Sequence, residues 1–329
     1  MVESVVEPKL SHLFRPLNLL MIGLMMYFLR FGLLKPMLDF IGTIAESSFE
    51  LQMTEIEFAL LTLSVLLIAA GGYIVNDVVD VKADKFNNSP NPVGTLISKK
   101  RADLLYKIFT GSGLIIGFGV GFQLGNYNLG VIQFAAAISL WFYSYYFKNE
   151  LVIGNLIVAF VVALVPLTVG IYEVTLIQVK YFNKVTEFKD FNFNFVAFWF
   201  IGYSVFVFLF TWAREILKDI EDIDGDRRVG AKTLPIQYGI NAANGLVTLI
   251  YLGLIYLLIN LKLDFFTDPI SSVFIFVLVF ILLTNIVSMW MKRMVWIPLS
   301  SWNKVMSVIG MFFLLALGYI INNELFFNA

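Results

Sequence analysis

Long charge-free stretches dominate the chain, and their lengths indicate which elements it forms. A helix needs about 20 apolar residues to cross the hydrocarbon core of a bilayer. The stretch 108–147 is long enough for two such helices, and the Gly, Gln and Asn residues within 121–130 predict a hairpin loop between them. The pattern therefore predicts nine transmembrane helices, in residues 16–34 (interrupted only by Arg30), 58–76, 108–147 (two), 151–172, 191–213, 233–261, 269–291 and 305–323.

Composition supports the same class of protein. Of the 329 residues, 59% are hydrophobic and 14% are charged, whereas a soluble domain has about 25% charged residues. The chain is predicted to be an all-α polytopic membrane protein. The net charge of −1 gives no general attraction to nucleic acid. With no Cys and one His, disulfides, thiolate sites and multi-His metal sites are excluded, so any chemistry depends on carboxylates, amides, Lys, Arg and Tyr.

Basic residues between the predicted helices indicate the orientation. Loops on the side of the N-terminus (77–103, 148–150, 214–232 and 292–304) carry 14 Lys and Arg residues, and the opposite loops carry five. The positive-inside rule then predicts a cytosolic N-terminus in the cytoplasmic membrane. No cleavable signal peptide is expected, because the first apolar run is too long. The mixed-charge segment 173–190 has no readable role, although it can cover the outer surface.

Carboxylates cluster where the second predicted helix ends. Asp77, Asp80 and Asp84 stand at positions i, i+3 and i+7, so a helix that continues through them places all three on one face. Asn76 precedes Asp80 by four residues and can join that face. Ionisable groups near a bilayer are costly and point to a functional site.

A second cluster repeats this spacing after the sixth predicted helix. Asp219, Asp222 and Asp226 again stand at i, i+3 and i+7, on the same predicted side of the membrane. The equal spacing indicates a weak internal repeat within a single domain, with halves at about 1–150 and 151–329. An Asp-rich loop can simply mark the water interface, but two matched clusters favour a shared function.

Six converging carboxylates would repel one another without cations. Oxygen-only ligands favour Mg²⁺, which keeps coordination positions open for phosphate oxygens. The clusters therefore predict a diphosphate site at the membrane rim, with the apolar interior beside it for a hydrophobic tail. Nearby bases that can contact the diphosphate are Lys148, Arg214, Lys218, Arg227, Arg228, Lys232 and the run 99–101.

These motifs resemble those of the UbiA superfamily of intramembrane prenyltransferases. The pattern N-D-x-x-D-x-x-x-D is matched by Asn76, Asp77, Asp80 and Asp84, and residues 222–235 match the pattern D-x-x-G-D-x-x-x-G-x-x-T-L-P. The opening R-P-x-N is matched at residues 15–18. Residues 143–148 and 154–155 resemble the connection between the fourth and fifth helices. The resemblance covers essentially the whole chain, and it implies an all-α fold of about nine transmembrane helices around a central cavity.

The resemblance implies Mg²⁺-dependent transfer of an isoprenyl group from its diphosphate, with Mn²⁺ as a possible substitute. Asp77, Asp80, Asp219 and Asp222 would be catalytic, and all six Asp residues of the two clusters would bind the metal ions. Asn76 would contact the metal or the diphosphate, and Lys148 would bind the diphosphate. Arg15 and Asn18 would face the acceptor. The remaining implied substrate contacts are Tyr143, Asn155 and Lys232.

One departure concerns the segment after the first motif. The family usually has Asn-Arg-Pro there, whereas this chain reads Asn88-Ser89-Pro90-Asn91-Pro92. Lys99, Lys100 or Arg101 can replace the missing phosphate contact. Residues 214–222 and 230–235 resemble the branch that prenylates geranylgeranylglyceryl phosphate in ether-lipid synthesis. An aromatic acceptor, hydroxybenzoate or dihydroxynaphthoate, is the alternative.

Two other classes of function fit the acid clusters less well. A cation transporter also uses intramembrane acids, but the clusters lie at the rim on one side rather than at the midplane. A CDP-alcohol phosphotransferase would need a D-G-x-x-A-R lead, which is absent. The glycines at 111, 113, 117, 119 and 121 lie in an apolar span, so helix packing is expected there rather than a nucleotide loop. Prenyl length, acceptor identity and oligomeric state remain open.

Overall fold

A computed structural model describes residues 9–86, 91–148, 150–181, 193–266, 268–291 and 299–323. Within these ranges the chain is helical, and an isolated bridge between Val93 and Ile97 is the one β contact. The α-helices are α1 (Pro16–Phe28), α2 (Lys35–Ile44), α3 (Glu55–Phe86), α4 (Lys99–Gln123), α5 (Val131–Phe142), α6 (Ile153–Lys180), α7 (Asn194–Glu221), α8 (Ile223–Arg228), α9 (Leu234–Tyr238), α10 (Ile240–Phe265), α11 (Pro269–Trp290) and α12 (Leu299–Asn322). Leu10–Phe14 and Tyr127–Gly130 are 3₁₀ turns, and Leu29–Leu34 and Tyr143–Phe147 are π-helical.

Eight helical segments of the described chain are long and apolar enough to cross a membrane, and they agree in order with the predicted spans. The remaining predicted span, the second half of 108–147, is α5 followed by the π-helical segment, at 12 and five residues. The all-α membrane fold is thus confirmed, with the count of nine approximate. The hairpin predicted at 121–130 is also present, since α4 ends at Gln123 and α5 begins at Val131.

Several predicted boundaries were wrong. The first span does not end at Leu34, because α2 continues it to Ile44. The seventh begins at Ile240 rather than Thr233, because Gly239 adopts φ +85°, which ends α9 and starts a new helix. Apolar runs mark the hydrocarbon core, whereas helices continue into the polar layers until a backbone break ends them. The part of segment 173–190 after Tyr181 lies outside the described residues.

The described chain divides into two compact units. The first contains the described parts of Met1–Gly23, Met53–Val161 and Asp222–Gln237. In it, α3 packs closely along α4 through the glycines of α4. The Ser64 hydroxyl donates to the Gly113 carbonyl at 2.6 Å, and a Cβ at Gly117 would lie 2.8 Å from the Ser64 oxygen. Gly113 and Gly117 thus serve helix packing, as expected for small residues in membrane helices, whereas an added Cβ at Gly111 or Gly119 would meet nothing within 4 Å.

The second unit contains the described parts of Leu24–Gln52, Val162–Glu221 and Tyr238–Ala329. Here α10 packs against α7 and α11, and α12 packs against α2, α11 and the first π-helical segment. Three buried polar side chains, one each from α10, α11 and α12, are hydrogen-bonded to one another. The Tyr251 hydroxyl donates to Asn303 Oδ1 at 3.1 Å, and the Asn285 amide donates to the same oxygen at 3.2 Å.

Candidate functional site

Helix α3 carries the first acid cluster at its C-terminal end. It has 32 residues, so at 1.5 Å per residue it is about 48 Å long and exceeds the roughly 30 Å hydrocarbon core. The charge-free part of α3 ends at Asn76. One uninterrupted helix therefore presents Asp77, Asp80 and Asp84 where it leaves the apolar layer.

Arg15 pairs with the first of these acids. Its Nη2 donates to Asp77 Oδ1 at 3.0 Å, and its guanidinium carbon lies 4.8 Å from the centre of the Tyr73 ring. Arg15 stands between the first 3₁₀ turn and α1 with φ +47°, a left-handed backbone that non-glycine residues rarely adopt. Such strain persists where surrounding contacts hold it and is common at functional sites.

Lys148 pairs with the second acid. It follows the π-helical segment Tyr143–Phe147, where its N–H donates to the Tyr143 carbonyl at 2.9 Å. Its ammonium group contacts the Asp80 carboxylate and donates to Asn76 Oδ1 at 3.0 Å. The Asn76 amide in turn donates to Asp80 Oδ2 at 2.8 Å. These three side chains form a closed hydrogen-bonded triangle with one positive and one negative charge.

Asp84 contacts Asn91, a residue that the sequence analysis assigned no role. The Asn91 amide nitrogen donates to Asp84 Oδ2 at 2.7 Å and to the backbone carbonyl of Asp77 at 2.9 Å. Burial raises the pKa of the Asp84 carboxyl, and the Asn91 hydrogen bond partly opposes that shift. A signal was available in the sequence, because Asn91 lies in the segment where the family's Arg is missing.

The second acid cluster does not lie on one continuous helix, contrary to its spacing. Helix α7 ends at Glu221, Asp222 forms a turn, and α8 begins at Ile223. Asp219 belongs to the second unit, whereas Asp222 and Asp226 belong to the first. The break has a physical cause, since Asp and Gly both have low helix propensity and the segment 222–226 contains three Asp and a Gly.

The other predicted site residues have defined positions. Asn18 is half-buried in the first turn of α1, Tyr143 begins the second π-helical segment, and Asn155 lies in the first turn of α6. Lys232 is exposed in the connection between α8 and α9. The hydrogen bonds and ion pairs given above form two groups, both within the first unit. One contains Arg15, Asp77, Asn91 and Asp84, and the other contains Asn76, Asp80 and Lys148. Asn88, Ser89 and Pro90 lie outside the described residues.

The residues of the first cluster fit Mg²⁺ by their chemistry. No three acidic or imidazole groups of the described chain converge as a ready-made metal site. Mg²⁺ does not require such a cage, because it binds through one or two carboxylates, waters and substrate phosphates. Asp77, Asp80 and Asp84 offer only oxygen ligands, with the Asn76 amide beside them, and the cations Arg15 and Lys148 already neutralise two of the three charges.

Fold and site together define a helical membrane protein with an acidic, cation-balanced cluster at the end of a spanning helix. The sequence model of the UbiA prenyltransferase family matches residues 44–317, and the chain belongs to this family. It is similar to the digeranylgeranylglyceryl phosphate synthase of Saccharolobus solfataricus, with 33% identity over 227 residues, 68% of this chain and 70% of that protein. The corresponding enzyme of Sulfurisphaera tokodaii is 30% identical over 203 residues, 61% of this chain and 64% of that protein. Matches to other archaeal digeranylgeranylglyceryl phosphate synthases likewise cover roughly 60% of the length of each relative.

Solved structures share the fold. A UbiA homologue from Archaeoglobus fulgidus, bound to DMAPP and Mg²⁺, matches with a TM-score of 0.61 at 16% identity, covering 95% of this chain and 98% of that one. A structure of digeranylgeranylglyceryl phosphate synthase matches with a TM-score of 0.55 at 23% identity, covering 93% and 99%. The match over nearly the full length of each chain establishes the UbiA fold.

Proposed function

We propose that this protein is a membrane-embedded prenyltransferase. It transfers an isoprenyl group from its diphosphate to a lipid acceptor, geranylgeranylglyceryl phosphate, and depends on Mg²⁺. The observation that carries the proposal is the cation-balanced cluster of Asp77, Asp80 and Asp84 at the end of a spanning helix, in a chain of the UbiA family. Such a position places charged groups beside an apolar layer that suits an isoprenyl tail.

Two sets of residues would hold the metal ions. Asp77, Asp80 and Asp84, with Asn76, would hold one ion, and Asp219, Asp222 and Asp226 would hold a second. Bound Mg²⁺, or Mn²⁺ in its place, would neutralise the charge that develops on the departing diphosphate. The A. fulgidus structure, which contains DMAPP together with Mg²⁺, supports this assignment by analogy of fold.

In this proposal Arg15 and Lys148 also bind the phosphate groups of the substrates. In the protein alone they are the counter-ions of Asp77 and Asp80. When the substrates bind, Lys148 would exchange its carboxylate for a diphosphate oxygen, and Arg15 would exchange its carboxylate for the phosphate of the acceptor, which keeps both charges compensated. Lys232, which is exposed, would add a further contact to the diphosphate.

The chemical step breaks the bond between the first isoprenyl carbon and the diphosphate oxygen. Diphosphate leaves with the bonding electrons, and the acceptor hydroxyl oxygen forms the new ether bond while its proton is released. The allylic carbon carries positive charge in between, so water has to be excluded and aromatic faces stabilise it. Tyr73 and Tyr143 are the aromatic candidates, since Tyr145 and Tyr146 are exposed beside Trp141, as in an interfacial belt.

The acceptor is assigned from the relatives and from Arg15. The matched proteins of S. solfataricus and S. tokodaii are digeranylgeranylglyceryl phosphate synthases, and the acceptor of such a reaction carries a phosphate. Arg15 and Asn18, at the start of α1, would bind that phosphate, with Asn155 and Tyr143 completing the pocket. The distribution of Lys and Arg supports a cytosolic N-terminus and a site on the cytosolic face of the cytoplasmic membrane.

The test measures diphosphate release from geranylgeranyl diphosphate by the purified protein in detergent micelles. The arms contain Mg²⁺, Mn²⁺ or EDTA, and geranylgeranylglyceryl phosphate or 4-hydroxybenzoate as acceptor. An Asp77→Asn variant runs beside them, and Asp103→Asn, whose carboxylate pairs with Lys107 on α4, is the matched control.

Metal-dependent release with the glyceryl phosphate acceptor, lost in Asp77→Asn and kept in Asp103→Asn, is the expected result. Release only with 4-hydroxybenzoate would overturn the acceptor assignment and leave the reaction class intact. If the protein neither binds nor cleaves geranylgeranyl diphosphate in any arm, the proposed prenyl transfer is wrong, and cation transport becomes the hypothesis to test.

A further inference from the structure

Asn91 connects the loop after α3 to the acid cluster. It lies seven residues beyond Asp84, and 9% of its surface is exposed. Both donors of its amide are used, one on Asp84 Oδ2 at 2.7 Å and one on the Asp77 carbonyl at 2.9 Å. Its amide oxygen accepts the Val93 N–H at 2.8 Å.

These three bonds define one orientation of the amide. A flipped side chain would point its oxygen at the Asp84 carboxylate and the Asp77 carbonyl, and its NH₂ group at the Val93 N–H. All three contacts would then be repulsive, because carboxylate and carbonyl oxygens only accept and N–H groups only donate. The amide is therefore locked, and it holds one oxygen of Asp84 in a set direction.

The loop that carries Asn91 is itself firmly held. The Thr95 hydroxyl donates to the Asn91 carbonyl at 2.9 Å, and the Pro92 carbonyl accepts the N–H groups of Leu96 and Ile97. Val93, which is 2% exposed, packs in a cluster with residues of the first 3₁₀ turn, α3 and α4, namely Leu13, Ile74, Val78 and Ala102. Asn91 thus has a rigid support on its loop side.

The neutrality of Asn91 also has a consequence for charge. The three carboxylates of α3 are contacted by two cations, Arg15 and Lys148, which leaves one negative charge among these five groups. A hydrogen bond from an amide orients Asp84 without removing that charge, whereas a third Lys or Arg would compensate it. The cluster keeps its attraction for a divalent cation.

We infer that Asn91 is a positioning residue that orients the Asp84 carboxylate for Mg²⁺. The inference rests on the proposed function, and it assigns to this chain a residue on the loop rather than on the motif helix. Groups that orient metal ligands in this way typically change metal affinity or activity about 10–100-fold when they are removed.

The experiment compares Asn91→Ala with Thr95→Ala in the full chain. Thr95 is exposed, and its hydroxyl bonds to the same loop but not to an acid of the cluster, so its loss disturbs loop support alone. Binding of Mn²⁺ is followed by electron paramagnetic resonance of free Mn²⁺ without substrate. The Mg²⁺ concentration for half-maximal diphosphate release is measured in parallel.

Asn91→Ala is expected to weaken Mn²⁺ binding and raise the half-maximal Mg²⁺ concentration by about 10-fold, with most of the rate restored at saturating Mg²⁺. Thr95→Ala should remain within about twofold of the parent protein, since it removes a bond to the Asn91 backbone carbonyl but leaves the bond from the Asn91 amide to Asp84 in place. Equal shifts in both variants, or none in Asn91→Ala, would overturn the inference. If Asn91→Ala does not fold, Asn91→Ser, which is too short to reach Asp84, is measured against the same outcomes. A parent protein that binds Mn²⁺ but releases no diphosphate contradicts the proposed function and leaves the binding result for Asn91 interpretable.

Discussion

Each of the two units contains ion pairs between basic and acidic side chains, and these pairs differ in their exposure to solvent. In the first unit, the side chains of Arg15 and Lys148 are 40% and 27% exposed where they meet Asp77 and Asp80. In the second unit, Arg30 Nε lies 3.2 Å from Glu173 Oε1, and both side chains are fully buried. Glu173 also accepts the Gln52 N–H at 2.9 Å, and the Arg30 guanidinium lies 5.3 Å from the Phe31 ring.

The difference shows that one kind of interaction serves two purposes. A pair whose basic partner is partly exposed to water can exchange partners at less cost than a fully buried pair, which suits groups proposed to accept a charged substrate. A fully buried pair cannot lose one partner without leaving an uncompensated charge, so it holds its segments in place. Here it joins the first π-helical segment, α6 and the chain around Gln52 within the second unit.

The largest expected effect comes from breaking the buried pair. Arg30→Met leaves Glu173 charged and buried, which should cost about 3–5 kcal/mol of unfolding free energy. Thermal unfolding in detergent micelles measures it. The double variant Arg30→Met with Glu173→Gln keeps an acceptor for Gln52 and should recover most of the loss. A single variant as stable as the parent would show that the pair does not hold the unit together.

The next effect concerns the open cluster and should appear in turnover instead of stability. Asp80→Asn removes a proposed metal ligand and the counter-ion of Lys148, and diphosphate release should fall about 10²–10³-fold, as for other lost transition-state contacts. The melting temperature should stay within a few degrees. Asp103→Asn is the control in both assays. A large drop in melting temperature with intact turnover would mean that Asp80 stabilises the fold and does not serve catalysis.

A smaller effect is expected from Lys148→Gln. The variant keeps a hydrogen-bond donor near Asn76 and Asp80 but loses the charge, and a charged hydrogen bond contributes about 1.5–3 kcal/mol. KM for the isoprenyl diphosphate should rise about 10–100-fold, since each 1.4 kcal/mol corresponds to a factor of ten. Steady-state kinetics at saturating Mg²⁺ measure this, and an unchanged KM would exclude Lys148 from diphosphate binding.

The smallest effect concerns packing next to the buried pair. A Cβ at Gly32 would lie 2.7 Å from the Leu314 carbonyl oxygen, so Gly32→Ala should cost about 1–3 kcal/mol by overpacking. Gly253→Ala in α10 is the matched control, because nothing lies within 4 Å of its added methyl, and it should be neutral or stabilising by up to about 1 kcal/mol. The melting temperatures of the two variants measure this difference. Equal values would mean that α12 shifts away from the added methyl without loss of stability.

Much of the fold was predictable because apolar runs of helical length leave few alternatives in a bilayer. The same holds for the acids of α3, whose spacing places them on one face once the helix continues. The break at Asp222 was missed because identical spacing in the two clusters suggested identical helices, whereas Gly225 and the adjacent acids weaken the second one. The contact of Asn91 with Asp84 was not predictable, because it depends on the course of the loop after α3, which no short spacing specifies.

The sequence by itself determined the membrane class, the order of the spans and the identity of the acids, since these follow from local composition and short spacings. The tertiary structure determined which basic side chain pairs with which carboxylate. Arg15 and Asp77 are 62 residues apart, and Lys148 and Asp80 are 68 apart, so no local pattern links them. Arg30 and Glu173 are still farther apart along the chain, and the sequence showed Arg30 only as an interruption of a span. Because ionic partners are selected by packing between distant helices, folding alone determines which charges remain exchangeable and which are permanently paired.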